Sequence, residues 1–128
     1  MTGLNFKFEE LHLERLQRQY TEHGKLIIAF DFDDTVYPYS YSDELLEPVR
    51  EILRKCGALG HEMVCFTSNN DIQKVTQYLQ TNQIPCDSIN ASSVKLGAKV
   101  FYSILLDDKA GLGSSLSVLT KFLERNSL

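Results

Sequence analysis

Residues Leu26–Pro38 read LIIAFDFDDTVYP. Five apolar residues, Leu26 to Phe30, run straight into Asp31-Phe32-Asp33-Asp34-Thr35. A short apolar run bounded by polar residues fits a strand buried on both faces. Carboxylates at the tip of such a strand are costly to desolvate unless something binds them. The rest of the chain reads as the scaffold that holds this tip.

The chain has 128 residues, enough for one domain with one core. An apolar share of 43% excludes wholesale disorder. Seventeen acidic residues face thirteen basic ones, a net charge of -4, so no broad basic surface exists for a nucleic-acid backbone. A local basic patch stays compatible with that balance. The three cysteines, Cys56, Cys65 and Cys86, form no CxxC spacing and are expected to be reduced thiols. No apolar run with a small-residue cleavage site opens the sequence, and no stretch is long and apolar enough for a membrane span. The expectation is a soluble, cytoplasmic protein without a membrane partner. Residues 1–128 read as a single domain, with 1–24 as an N-terminal helical extension packing on it.

In that extension, Phe8, Leu11, Leu13, Leu16 and Tyr20 mark an apolar stripe, and Gly24 reads as the helix C-cap. A strand is expected over 25–30. Pro38 fixes the loop Tyr37-Pro38-Tyr39-Ser40-Tyr41. A helix over 43–56 follows, capped by Ser42 or Asp43 and stopped before Gly57. Its buried face is expected to be Leu45, Leu46, Val49, Ile52 and Leu53. Pro48 implies a bend or a later start. Strand 61–66 ends at Thr67-Ser68-Asn69-Asn70. Helix 71–81, a short strand at 87–90, an unpatterned Ser-rich stretch at 91–99, a strand at 101–106 ending in Asp107-Asp108, and a helix over 114–124 complete the chain.

Strands alternating with helices are the βαβ signature. The fold class is therefore α/β: a doubly wound, mostly parallel Rossmann-like sheet in a three-layer α/β/α plan. Ligands of such sheets gather beyond the strands' carboxyl ends. Three polar clusters, Asp31/Asp33/Asp34, Thr67/Ser68/Asn69 and Asp107/Asp108, stand at those ends.

Carboxylates converging from separate strands repel, and a divalent cation relieves that repulsion. Oxygen-only donors suit Mg²⁺, which also orients and neutralises a phosphoryl group. One carboxylate can attack phosphorus, and a second nearby can carry the proton. Thr67 or Ser68, with backbone N–H groups at a helix start, suits phosphate oxygens.

Phe30-Asp31-Phe32-Asp33-Asp34-Thr35-Val36 resembles the first, DxDxT, motif of the haloacid dehalogenase-like (HAD) superfamily. Val64-Cys65-Phe66-Thr67-Ser68-Asn69 is similar to its second motif, and Ile104-Leu105-Leu106-Asp107-Asp108 to its fourth. The resemblance runs from about residue 26 to residue 111. It implies a Mg²⁺-dependent phosphomonoester hydrolase with an aspartyl-phosphate on Asp31. Asp31 is then nucleophile and metal ligand, and Asp33 the acid/base and a ligand through its carbonyl. Asp107 and Asp108 form the acidic metal pair, and Thr67 holds phosphate, with Ser68 as runner-up beside Asn69. The resemblance makes Lys99 the catalytic and phosphate-binding lysine, with Lys95 the alternative and Lys74 third. Asp34 stands where many relatives carry glycine. Too little chain separates the motifs for the superfamily's mobile cap.

The implied substrate is a phosphorylated small molecule or an accessible phosphate on a larger one. A homo-oligomer is compatible with the sequence. A non-catalytic metal- or partner-binding module and a phosphotransferase with the same intermediate remain alternatives. A receiver domain fits poorly, because its acidic pair belongs on the first strand rather than the last.

Overall fold

The computed structural model describes residues 3–96 and 99–126, the side chains at positions 4, 5, 95, 96 and 99 excepted. In chain order the elements are α1 (Gly3–His23), β1 (Ile27–Asp31), α2 (Asp43–Ala58), β2 (Glu62–Phe66), α3 (Ile72–Thr81), β3 (Ser88–Ile89), β4 (Lys95–Leu96), β5 (Lys99–Val100), β6 (Ile104–Leu106) and α4 (Leu112–Arg125). Four strands form one parallel sheet in the order β3-β2-β1-β6. β4 and β5 pair antiparallel as a separate ribbon. This is a small α/β domain with a Rossmann-like parallel sheet, consistent with a three-layer plan.

The chain moves from β1 through β2 to β3, then returns to pair β6 on the free side of β1. Strand order therefore reverses between β1 and β6, and a crevice opens at their carboxyl ends. The register sets Phe30 beside Leu106. The next residues along, Asp31 and Asp107, consequently flank that crevice.

Alternation along the strands splits the buried apolar residues into two sets. Ile28, Phe30, Met63, Cys65, Ile104 and Leu106 share a core with helix residues such as Leu16, Leu53, Leu79 and Phe122. Ile27, Ala29 and Val64 face the other way, where Phe66, Phe101, Tyr102 and Leu105 pack against them. Among the described residues no helix is long and apolar enough to cross a membrane. All three cysteines are free, and burial pushes the Cys56 thiol up to about 12, so it stays a neutral core group.

Several sequence expectations shift. Leu13, Leu16 and Tyr20 of α1 pack inward, whereas Phe8 and Leu11 are exposed. α1 lies against α4, with Glu9 accepting from Ser114 and Ser117 and Gln17 paired with Asn126. Gly24 does end α1, at φ +78. In α2 the inward stripe is Leu46, Val49, Leu53 and Cys56, and Leu45 is exposed, because adjacent residues stand about 100° apart on a helix. Pro48 neither delays nor stops α2, which begins at Asp43 behind the Ser42 cap. Gly57 does not stop it either: α2 runs on to Ala58, and a Cβ at Gly57 would stand 2.5 Å from Pro85. That close approach to Pro85, not a turn, accounts for the glycine. The Ser-rich stretch holds the β4–β5 ribbon, and the last strand begins at Ile104 rather than Phe101.

Candidate metal and phosphate site

Asp31 closes β1, and Asp107 and Asp108 follow β6 directly. One carboxylate oxygen from each of the three lies within 4.8 Å of the others. The loop after β1 is tied to the tip of β6 by Thr35, which is fully buried. The Asp108 backbone N–H donates to Thr35 Oγ1 at 3.1 Å, and the Thr35 hydroxyl lies 3.4 Å from Asp108 Oδ1. Asp107 Oδ1 accepts from the Lys109 N–H at 2.9 Å. The carboxylates thus stand at or just beyond the carboxyl ends of two adjacent parallel strands, with Thr35 tying the two ends together.

That convergence has an electrostatic cost. Burial, then the neighbouring Asp107 charge, then the hydrogen bond and charge of Asp108 push the Asp31 carboxyl up to about 7. The Phe32 N–H works the other way. A carboxyl so raised is poised near neutrality, a property that clusters at functional sites.

Asp34 has a different task. Its φ of +58 is left-handed, a conformation that glycine adopts freely and aspartate tolerates better than most residues. Its carboxylate accepts from the Ser40 N–H at 2.7 Å, the Tyr41 N–H at 2.9 Å and the Ser40 hydroxyl. Those hydrogen bonds hold the Asp34 carboxyl below the usual range, against the opposing effect of burial. Asp34 therefore shapes the loop that borders the site.

A cleft of about 420 Å³ lies over the cluster, and Asp33, Tyr39, Ser68 and Lys109 line it together with the three aspartates. Asp33 faces this cleft without joining the carboxylate triad. Among the described residues Ser68, and not Thr67, lines it. Thr67 Oγ1 accepts from the Asn69 N–H at 3.0 Å, and its backbone is clamped by the Asn90 amide. Asn69 Oδ1 accepts from the Asp71 N–H, building the turn into α3.

The side chains of Lys99 and Lys95 lie outside the described residues. The roots of their ribbon are bonded at the amino ends of the sheet strands. Ser93 donates to Glu62, and Ser103 exchanges hydrogen bonds with Ile27. Lys74 stands over the Tyr37 ring at 5.7 Å. Tyr37 itself stacks on Phe32 at 5.1 Å, which is ordinary packing. Sequence reasoning assigned no role to Thr35 or Ser40. The threonine of DxDxT was the available signal for the first, and none existed for the second.

An all-oxygen donor set on rigid strand ends, carrying mutual repulsion, fits a hard divalent cation such as Mg²⁺. The aspartate cluster on this Rossmann-like sheet is consistent with a HAD-like fold. No family model, no curated protein and no solved structure matches the chain.

Proposed function

We propose that this chain is a Mg²⁺-dependent phosphomonoester hydrolase of the HAD type, acting through an aspartyl-phosphate on Asp31. The observation that carries the reading is the convergence of Asp31, Asp107 and Asp108 at the crevice where strand order reverses. Asp31, Asp107 and Asp108 would hold the ion, with the Asp33 carbonyl added by the family resemblance. The ion would supply positive charge to the carboxylates and to the phosphoryl oxygens.

In the first step an Asp31 carboxylate oxygen attacks phosphorus and the ester P–O bond breaks. Asp33 gives its proton to the departing oxygen. In the second step Asp33, now ionised, takes a proton from water, whose oxygen attacks phosphorus. Phosphate leaves and the Asp31 carboxylate is restored. Ser68 on the cleft wall supports the phosphate-binding role, and Thr67 and Asn69 hold its loop. Lys109 is the cation on the cleft wall, whereas Lys99, the lysine of the family pattern, belongs to a ribbon rooted at the opposite, amino ends of the strands. The placement of Asp31 on β1 and the Thr35 tie to Asp108 support catalysis because positioned charge needs no reorganisation during the reaction.

The test is phosphate release from a panel of phosphomonoesters with Mg²⁺ or with chelator, comparing wild type with Asp31→Asn. Metal-dependent release by wild type alone is expected. Equal release by both proteins removes Asp31 as nucleophile.

A further inference from the structure

Resting on the phosphatase reading, we infer that the site takes a small phosphomonoester whose leaving group carries a planar aromatic ring, and that Tyr39 is the surface on which the ring stacks. Tyr39 is 75% exposed, the largest exposure among the large apolar and aromatic side chains of the described residues. It lines the same cleft as Asp31, Asp33, Asp107 and Asp108. Its neighbour Tyr37 is packed on Phe32 and Tyr78, and Tyr41, though exposed, does not line this cleft. Among the described residues the Tyr39 side chain has no hydrogen bond and no aromatic partner.

The loop holding it is nonetheless fixed. The Asp34 carboxylate binds Ser40 and Tyr41 on its far side, and the Tyr39 N–H donates to the Tyr37 carbonyl at 2.9 Å. A pre-positioned aromatic face binds a ring at low ordering cost. A nucleobase stacked on an aromatic side chain gains about 1–3 kcal/mol, whichever base it is, because each presents a π-face. Charge limits the size of the ligand. With 17 acidic and 13 basic residues the chain offers no broad basic surface for a polynucleotide backbone, and Lys109 is the one cation among the described residues lining the cleft. A cleft of about 420 Å³ falls in the small-molecule range.

The experiment measures kcat/KM with Mg²⁺ for two matched pairs: adenosine 5′-monophosphate against ribose 5-phosphate, and benzyl phosphate against ethyl phosphate. Each pair keeps an alkyl leaving oxygen and differs by the ring. The expected result is about tenfold preference for the ring-bearing member, seated in KM. That ratio falls towards one in Tyr39→Ala and persists in Tyr39→Phe. Preference in the first pair alone assigns a nucleobase; preference in both assigns any planar ring. Turnover abolished by Asp31→Asn but equal within each pair overturns the inference and leaves the phosphatase reading standing. A preference that survives in Tyr39→Ala removes Tyr39 from it. No release from any member, or release that Asp31→Asn retains, overturns both.

Discussion

Substituting Asp31 by asparagine should stabilise the metal-free protein while ending its proposed chemistry. The Asp31 carboxyl moves from an ordinary 3.8 to about 7 on folding, a raised value, so the folded chain holds this proton more tightly than the unfolded chain does. The penalty for ionising it is absent below about pH 4, grows between about pH 4 and pH 7, and is full above about pH 7. About three pKa units at 1.36 kcal/mol each set a ceiling of about 4 kcal/mol. Asp31 borders an open cleft, and solvent screening brings the working figure to about 2 kcal/mol. Asparagine keeps the shape and an oxygen for the Phe32 N–H, but carries no charge. Asp31→Asn should therefore unfold about 7 °C above wild type at pH 8 without metal, and level with it at pH 4. Adding Mg²⁺ at pH 8 should narrow the gap by stabilising wild type more than the variant. Thermal and urea denaturation across this pH range, with Mg²⁺ or chelator, read all these quantities. A variant no more stable than wild type at pH 8, or a gap independent of pH, would refute the claim that burial and neighbouring carboxylates strain the ionised Asp31.

Asp33→Asn should lose turnover while keeping the Mg²⁺-dependent rise in melting temperature, because Asp33 stands outside the carboxylate triad; a parallel loss of both would make it structural. Thr35→Val should cost about 1–3 kcal/mol by stranding the Asp108 N–H, measured by urea denaturation, and should weaken Mg²⁺ binding by calorimetry. Gly57→Ala should cost about 1–3 kcal/mol, since its Cβ would meet Pro85 at 2.5 Å; an unchanged denaturation midpoint would show that the Pro85 loop yields freely. Burial lowers the His61 pKa, and the Leu26 N–H donates to Nδ1 at 2.9 Å, so the folded ring is neutral. The unfolded chain then binds the extra proton, and stability falls as pH drops through about 6.5. In His61→Asn that portion of the acid limb should flatten; an identical limb would place the acid sensitivity elsewhere.

The motif-bearing strands were the most legible part of the chain. An apolar run ending in polar residues specifies a buried parallel strand and its exposed tip together, so Asp31, Thr67 and Asp107 could be set on one rim from local pattern alone. Helix faces were less legible. Leu45 and Leu46 are equally apolar, and only the packing of α2 on the sheet selects Leu46. Gly57 looks like a helix stop until the approach of Pro85, far along the chain, explains it.

The residue types for metal and phosphate chemistry, and their place at strand ends, follow from sequence because strand periodicity and desolvation cost act locally. Which carboxylates meet is a tertiary matter. The β1–β6 pairing brings Asp31 to Asp107 and Asp108, and burial together with these neighbours, 76 and 77 positions distant, raises the Asp31 pKa, while Asp34 bonds its own loop at the edge of the cleft. Tyr37 and Tyr39 are likewise indistinguishable as letters. Packing on Phe32 half-buries one, and the Asp34-bound loop leaves the other facing the cleft, because contact and exposure are settled by what the rest of the fold places nearby.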